Sequence, residues 1–211
     1  MGLDQIKENL IKGEAEKVKG LVEAALRKGI SAKEILDDGL IAGMDVVGKR
    51  FKNNEIFIPE VLIAAEAMNR SLEILEPHLV KGEVKPRGKV VIGTVKGDLH
   101  DIGKNLVAMM LKGAGFGVFD CGIDVAPHRF ADAVKKEGAG ILALSSLITT
   151  SMPSMAHTID ELKKQSLRDK VKVMVGGAPV TRAFADKIGA DGYGKDAGEA
   201  VDLAKKFQEV R

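Results

Sequence analysis

The sequence predicts an α/β protein: a Rossmann-like, doubly wound parallel sheet of five strands, preceded by a small four-helix bundle. Two observations carry this prediction. Residues 3 to about 80 show helical periodicity only, whereas from residue 89 onward short apolar runs alternate with helical segments. Such alternation is typical of a parallel sheet with helices on both faces. We therefore expect a helical domain at 1–80, a linker at 81–88 and a sheet domain at 89–211.

In the helical domain, apolar residues recur at helical spacing in four stretches. The first two of these apolar stretches predict two short helices before Gly29, a residue that commonly ends a helix. Ser31 opens a third helix, with Glu34 three residues on as the partner of a capping box. Pro59 suits the first turn of a fourth helix, which we expect to end at Pro77 because proline has no N–H to donate. Brief connections between four helices indicate a bundle.

The linker and the sheet domain follow. The run at 81–88 is polar and carries glycine and proline, as linkers do. Beyond it, five runs rich in β-branched and other apolar residues predict strands near 90–95, 117–121, 140–145, 171–175 and 190–193. The intervening segments predict helices near 104–113, 128–137, 155–165, 181–188 and 197–209.

Composition excludes several classes of protein. The 211 residues carry a net charge of +2 from 32 basic and 30 acidic side chains that are interspersed, so no basic stripe for nucleic acid is expected. The first residues lack an apolar signal core, and we expect no membrane partner. Cys121 is the single cysteine in an apolar strand candidate, which excludes a disulfide framework and favours a packed, inert thiol. These features favour a cytoplasmic protein.

A polar loop, Gly97 to Asn105, follows the first predicted strand and precedes a predicted helix. In open α/β sheets ligands bind at this end of the strands. Within the loop, His100 stands two residues after Asp98, so one ring nitrogen can bind a metal while the other donates to the carboxylate. One histidine cannot hold a free metal ion, but it suffices for a metal already held in a macrocycle. The other histidines, at 78, 128 and 157, show no ligand spacing.

Two ordinary explanations compete with a metal site. An Asp-x-His pair is often a capping or surface arrangement, and a glycine-rich turn before a helix is often a phosphate or dinucleotide cradle. The sequence contains neither the Gly-x-Gly-x-x-Gly pattern nor the P-loop pattern at this place.

The loop pattern Asp98-x-His100-x-x-Gly103 resembles the cobalamin-binding signature of the corrinoid module of methionine synthase and of the small corrinoid proteins of methyltransferase systems. The segments 145–151 and 175–178 resemble later strand ends of that family. The resemblance implies a cobalamin or related corrinoid as cofactor, with His100 as the lower axial ligand of cobalt. The displaced nucleotide tail would thread into the protein beside the sheet.

The resemblance also implies roles for individual residues. Asp98, His100 and Ser151 would form a hydrogen-bonded relay from cobalt toward solvent, and protonation of the released histidine would accompany methyl transfer. Asp101 lies in the cofactor loop but receives no role of its own. Ser145 and Thr149 would contact the tail or corrin rim, although such residues also cap strand-to-helix turns. The full cofactor-binding set in this domain is Gly97, Asp98, Leu99, His100, Asp101, Gly103, Ser145, Leu147, Thr149, Gly176, Gly177, Tyr193 and Ala197.

The helical domain resembles the cap of the methionine synthase module. The phrase Gly43-Met44-x-x-Val47-Gly48-x-x-Phe51, followed by 57–59, carries this similarity. It implies that Phe51 and Ile58 cover the upper face of cobalt and exclude water. The alternative is that both side chains belong to the bundle core. Because a lid also blocks the metal, we expect the linker to let the cap swing away.

The leading functional hypothesis is a methyl carrier with no turnover alone. By resemblance, its partners would be a substrate-specific methyltransferase, a second methyltransferase acting on a thiol or pterin, and a reductive activation protein. A radical-mutase subunit and a cobalamin-sensing module are the alternatives; the first needs no apolar helical cap, and the second needs an output domain. A receiver domain would need an acidic residue where Ser145 stands. The methyl donor stays open among methanol, methylamines, a betaine and an aryl methyl ether.

Overall fold

The structure is a computed structural model that describes residues 2–81 and 86–209. The chain divides into two compact units, one formed by residues 1–85 with 113–115 and the other by residues 86–112 with 116–211. Residues 82–85 of the predicted linker lie outside the described part. In the described ranges, no helix is long and apolar enough to cross a membrane.

The first unit is helical. Its helices are α1 (Leu3–Ile11), α2 (Ala15–Arg27), α3 (Ala32–Glu34), a π-helix (Ile35–Ile41), α4 (Ala42–Lys52) and α5 (Ile58–Lys81). The predicted capping box is confirmed, because the Ser31 Oγ accepts the Glu34 N–H at 3.1 Å and the Glu34 carboxylate accepts the Ser31 N–H at 3.1 Å. Apolar side chains at helical spacing are buried, which confirms the bundle: Ile6, Leu10, Val18, Val22, Ile35, Leu40, Met44, Val47, Val61, Met68 and Leu75.

Two details of this unit differ from the predictions. The third helix is not a plain α-helix, since a π-helical segment joins α3 to α4. The prediction that the fourth helix ends at Pro77 is wrong, because α5 continues through it to Lys81. Pro77 and Glu73, whose carbonyl loses its helical partner, are both exposed, so water can solvate that carbonyl and the helix need not stop.

The second unit contains a five-stranded sheet. Its strands are β1 (Lys89–Thr94), β2 (Gly117–Asp120), β3 (Ile141–Ser145), β4 (Lys172–Gly176) and β5 (Gly192–Gly194). The helices are α6 (Ile102–Gly113), α7 (Pro127–Glu137), α8 (Pro153–Lys164), α9 (Arg182–Ile188) and α10 (Ala197–Glu209). All strand pairs are parallel, in the order β2-β1-β3-β4-β5, which confirms the doubly wound sheet.

The core of this unit explains the strand sequences. The central strands β1 and β3 are buried along nearly their whole length, as expected for a sheet covered on both faces. Alternate residues of the central strands, such as Val91 and Leu142, join one cluster with side chains from α7 and α8. The residues between them, such as Val90 and Ile141, are buried as well. The predicted continuous apolar runs therefore mark strands that have no solvent face.

Candidate functional site

The strand order brings two loops together. β2 pairs with one side of β1, and β3, the next strand in the sequence, pairs with the other side. The sheet therefore has a switch point between β1 and β3. Crevices at such points lie beyond the carboxyl ends of the strands and are the usual ligand sites of open α/β sheets. Here the crevice lies between the β1 loop, residues 95–101, and the β3 loop, residues 146–152.

Asp98 and His100 form the first contact of the site. The Asp98 side chain is fully buried, and its Oδ1 lies 2.7 Å from the His100 Nδ1 and accepts the His100 backbone N–H at 3.1 Å. The imidazole itself is half exposed, at 53%. An ionised carboxylate is an acceptor only, so Nδ1 must carry the proton of this hydrogen bond. In the neutral ring this leaves Nε2 with its lone pair, as a metal ligand requires.

The other Asp98 oxygen belongs to the β3 loop. Its Oδ2 accepts the Leu147 N–H at 2.7 Å, the Ile148 N–H at 3.3 Å and the Ser151 hydroxyl at 2.9 Å. Burial by itself would raise the pKa of the Asp98 carboxyl, but the hydrogen bonds from Leu147, His100 and Ser151 outweigh it and hold the pKa well below its ordinary value. Asp98 is therefore a fixed negative charge that ties the two loops together.

The relay continues beyond Ser151, but inward. The Ser151 Oγ lies 2.7 Å from the Ser146 Oγ, and both serines are buried. These two hydroxyls are therefore shielded from solvent, and a relay from the ligand toward solvent stays a prediction. Ser146 directly follows β3, and its N–H continues the pairing with β4 by donating to the Gly176 carbonyl at 3.1 Å.

A third loop, after β2, holds the histidine loop from the other side. The Asp124 Oδ1 accepts the Gly97 N–H at 2.7 Å, and the Asp124 N–H donates to the Asp98 carbonyl at 3.0 Å. Gly97 has φ of +84°, a conformation that favours glycine. From the end of β1, the buried Thr94 donates its hydroxyl to the His100 carbonyl at 2.8 Å. Thr94 and Asp124 were not predicted from the sequence, because they bond to backbone groups of the β1 loop and no sequence motif marks such contacts.

A buried lysine anchors the start of the following helix. Lys104 is almost fully buried; it forms an ion pair with Asp120 at the end of β2 and donates to the Asn105 side chain at 2.6 Å. Asp101, to which no role was assigned, accepts from the Asn105 side chain at 3.1 Å. Lys104 was also missed, since a lysine in a polar loop is usually solvated.

The loops at the switch point expose several apolar side chains. Leu99, Ile102, Leu147 and Ile148 are exposed, with Leu99 at 69% and Ile102 at 78%, although all four come from the two loops at the switch point or the helix start beside it. In residues 2–81 and 86–209 no group of three or more histidine, cysteine or acidic side chains is placed to hold a metal ion. One histidine nitrogen beside exposed leucine and isoleucine fits a flat, largely apolar macrocycle that brings its own equatorial ligands. Leu99 and Leu147 were among the predicted residues, whereas Ile102 and Ile148 were not.

The remaining predicted residues lie along the same sheet edge. Ser145 pairs with Gly176, which in turn pairs with Gly194 beside Tyr193. Both predicted glycines have a structural reason that needs no cofactor. A Cβ on Gly177, whose φ is +120°, would lie 1.9 Å from the Ser146 carbonyl oxygen, and a Cβ on Gly176 would lie 2.8 Å from the Gly194 carbonyl oxygen.

Four further residues have plain placements. Thr149 is exposed in the β3 loop, and Ala197 is buried at the first position of α10. Tyr193 is half buried, with the Arg182 guanidinium 5.7 Å above its ring. Gly103 lies in the first turn of α6, where an added Cβ would meet open space.

Phe51 and Ile58 lie in the helical unit, at the end of α4 and the start of α5. Phe51 is only half buried and Ile58 is 44% exposed, so neither is a fully buried core residue of the bundle. The neighbouring Phe57, Leu62 and Ile63 are exposed as well. The helical unit thus presents apolar side chains at the two positions that the sequence predicted as a lid.

Comparison with known proteins gives consistent results over both units. Residues 88–202 match a B12 binding domain family, and residues 3–76 match a second family of the same description. The chain is 45% identical over 205 residues to dimethylamine corrinoid protein 3 of Methanosarcina acetivorans, covering 97% of this chain and 96% of that protein. It is 41% identical over 208 residues to a corrinoid protein of Desulfitobacterium hafniense, covering 97% of this chain and 96% of that one.

Solved structures agree. The methanol:cobalamin methyltransferase complex MtaBC of Methanosarcina barkeri contains a chain that superimposes with a TM-score of 0.88 at 31% identity, over 98% of this chain and 79% of that one. A cobalamin-binding protein of Desulfitobacterium hafniense superimposes with a TM-score of 0.82 at 32% identity, over 98% of both chains.

Proposed function

We propose, from the premise that this chain belongs to the corrinoid proteins built on B12 binding domains, that it carries a methyl group between two methyltransferases. The chain binds a corrinoid, as its family does. The observation that carries the proposal is the hydrogen bond of 2.7 Å between His100 and the buried Asp98, which reserves Nε2 for cobalt. The bound corrinoid supplies a cobalt atom that can accept and release the methyl group.

The residues of this chain then have defined tasks. Asp98 keeps the Nδ1 proton of His100 in place and orients the ring, because its other oxygen is anchored to the β3 loop by the Leu147 N–H. Asp98 also stabilises the imidazolium if the released ring takes up a proton. Leu99 and Leu147 provide apolar contact for the macrocycle. Ser145, Thr149, Gly176, Gly177, Tyr193 and Ala197 are proposed to line the path of the nucleotide tail along the ends of β3, β4 and β5.

The helical unit is proposed to act as the lid. Phe51 and Ile58 are apolar and incompletely buried within their own unit, so covering a cofactor face would remove apolar surface from water. A lid must also open for partner enzymes. We propose that residues 81–88 connect the cap, 1–80, to the corrinoid domain, 89–211, and permit this movement.

The partners follow from the relatives. Their names refer to dimethylamine and trimethylamine, and one solved relative is part of a methanol:cobalamin methyltransferase complex. We propose a substrate-specific methyltransferase for a methylated amine as the donor-side partner. The reason is that this chain is more similar in sequence to the dimethylamine and trimethylamine corrinoid proteins, at 45% and 46% identity, than to the chain of the methanol complex, at 31%. A second methyltransferase acting on a thiol or pterin, and a reductive activation protein, complete the proposed system. A cytoplasmic location, which the single cysteine favours, is part of the same proposal.

The experiment is a methyl-loading assay. The protein is reconstituted with cobalamin, reduced, and incubated with cell extract and ¹⁴C-labelled mono-, di- or trimethylamine or methanol. Label should appear on the protein-bound corrinoid with one donor and be lost on addition of a thiol acceptor with fresh extract. His100→Gly and corrinoid-free protein are the controls. Absence of label with every donor, in protein whose spectrum shows bound corrinoid, would contradict the carrier function while leaving corrinoid binding intact.

A further inference from the structure

The hydrogen-bond chain from His100 has a member that sequence analysis did not assign. Ser146 is fully buried, and its Oγ lies 2.7 Å from the Oγ of Ser151, which itself lies 2.9 Å from the Asp98 Oδ2. A buried hydroxyl is expected to have partners, and Ser146 has two: the Ser151 hydroxyl and the Ile148 carbonyl, at 3.1 Å.

The number of hydroxyl protons limits which of these hydrogen bonds can form at the same time. The Ser151 hydroxyl has one proton but three acceptors within reach: the Asp98 carboxylate at 2.9 Å, the Ile148 carbonyl at 2.9 Å and the Ser146 oxygen at 2.7 Å. Only one of them can receive that proton at a time. Ser146 likewise has one proton and two acceptors, the Ser151 oxygen at 2.7 Å and the Ile148 carbonyl at 3.1 Å, and the shorter distance favours donation to Ser151. If Ser146 donates to Ser151, the Ser151 oxygen is already used as an acceptor and its proton is directed elsewhere. Hydroxyls linked in series strengthen one another, so donation by Ser146 makes Ser151 a better donor to the charged carboxylate.

We propose that Ser146 is a positioning residue that directs the Ser151 hydroxyl onto Asp98 and thereby sets the strength of the hydrogen bond between Asp98 and His100. The order of donation is Ser146 to Ser151 to Asp98 Oδ2, with His100 donating to Asp98 Oδ1. Without Ser146, the Ser151 hydroxyl accepts no hydrogen bond from that side and becomes a weaker donor to Asp98. The hydrogen bond from Ser151 to Asp98 is then weaker, and Asp98 becomes a stronger acceptor for its other donors, among them the His100 Nδ1.

The consequence for the cofactor rests on the proposed function. A stronger hydrogen bond to Asp98 makes the His100 Nε2 a more basic ligand, so Ser146 would moderate how firmly the histidine holds the metal. The positioning role itself concerns this chain's own residues, and it can be tested without a corrinoid.

The test is nuclear magnetic resonance of the corrinoid-free, ¹⁵N-labelled chain at one pH, where the His100 ring is observed with a single proton. The ring signals of His100, one of four histidines, are assigned by their loss in His100→Gln. Ser146→Ala should move the Nδ1 proton downfield, in the same direction as Ser151→Ala and by a smaller amount. Thr158→Val is the matched control, because it removes another buried hydroxyl. That hydroxyl donates to the Ser154 carbonyl at 2.8 Å and is not part of the hydrogen-bond series from Ser146 to His100. It should leave the His100 signals unchanged.

The double variant of Ser146→Ala and Ser151→Ala tests whether Ser146 acts on His100 through Ser151. If Ser146 acts only through Ser151, Ser146→Ala should have no further effect in a Ser151→Ala background. Equal shifts in the two backgrounds would overturn the proposal, as would the absence of a shift in Ser146→Ala. Ser146→Thr keeps the hydroxyl and should restore the wild-type signals; a Thr variant that matches Ser146→Ala would also overturn it. Should Ser146→Ala fail to fold, Ser146→Cys replaces it with a much weaker donor and carries the same predictions.

Discussion

Replacing Asp98 with asparagine tests the structural basis of the site, because the two side chains have nearly the same shape. Each carboxylate oxygen accepts at least one backbone N–H: Oδ1 that of His100 at 3.1 Å, and Oδ2 that of Leu147 at 2.7 Å. An amide can offer its oxygen at only one of these places and must point its NH₂ group at a donor in the other. One partly buried N–H is therefore left without an acceptor at this side chain, whichever way the amide is oriented.

The expected cost follows from these contacts. A fully buried donor without a partner costs about 1–3 kcal/mol, and the lower half of this range applies here because the two N–H groups are partly buried. Loss of the charge from the remaining hydrogen bonds adds about 1 kcal/mol, so Asp98→Asn should lower the free energy of unfolding by about 2–3 kcal/mol. The effect should depend on pH. The pKa of Asp98 is lower in the folded protein than in the unfolded chain, so its contribution is complete above about pH 5. It begins to decline as the pH falls through about 4, the pKa of an unperturbed aspartate, and is lost only as the pH falls through the much lower pKa of the folded state. The difference in unfolding free energy between wild type and variant should thus narrow progressively as the pH falls below about 4.

The assay is urea unfolding of the corrinoid-free protein, followed by the fluorescence of Tyr193. The chain has one tyrosine and no tryptophan, and Tyr193 is in β5, so this signal reports the sheet unit. Asp124→Asn is the matched control, because Asp124 also accepts a backbone N–H at 2.7 Å but is exposed enough for water to replace the bond. It should shift the midpoint far less. Equal midpoints for wild type and Asp98→Asn at pH 7, or a difference that does not narrow as the pH falls below about 4, would refute the reasoning.

Three further predictions concern the cofactor. His100→Gly should abolish the absorption and EPR signature of a protein nitrogen on cobalt in reconstituted protein, and a retained signature would contradict ligation by His100. Residues 87–211 alone should fold and bind cobalamin, as measured by circular dichroism and spectral titration; a fragment that stays unfolded with cobalamin would show that the helical unit is needed for folding. Phe51→Ala should speed the light-driven loss of methyl from loaded protein and, since Phe51 is only half buried, cost less than the roughly 3–5 kcal/mol of a fully buried phenylalanine. Equal rates in wild type, Phe51→Ala and the fragment would exclude a lid.

Much of the architecture was predictable from local pattern. The alternation of apolar runs with helical segments predicted all five strands of the sheet within about two residues. The central strands β1 and β3 gave the longest apolar runs, because strands covered on both faces must be apolar throughout. The hydrogen bond between Asp98 and His100 could also be predicted, since two residues at a spacing of two in a loop lie within reach of each other independently of the tertiary structure. Its chemistry follows from the two residue types and their spacing. The course of α5 past Pro77 could not be predicted in this way, because exposure decides whether water can replace the lost hydrogen bond.

The surroundings of the pair were decided by tertiary structure alone. Ser146 and Thr94 look like ordinary polar residues at strand ends, and Lys104 like a solvated one. The structure buries all three, because the order β2-β1-β3 gathers loops that are about 25 to 50 residues apart in sequence around one carboxylate. Periodicity within a segment records whether that segment has a buried face, but not which other segment covers it. Which hydroxyl reaches Asp98, and which is shielded from water, therefore depends on strand order rather than on local sequence.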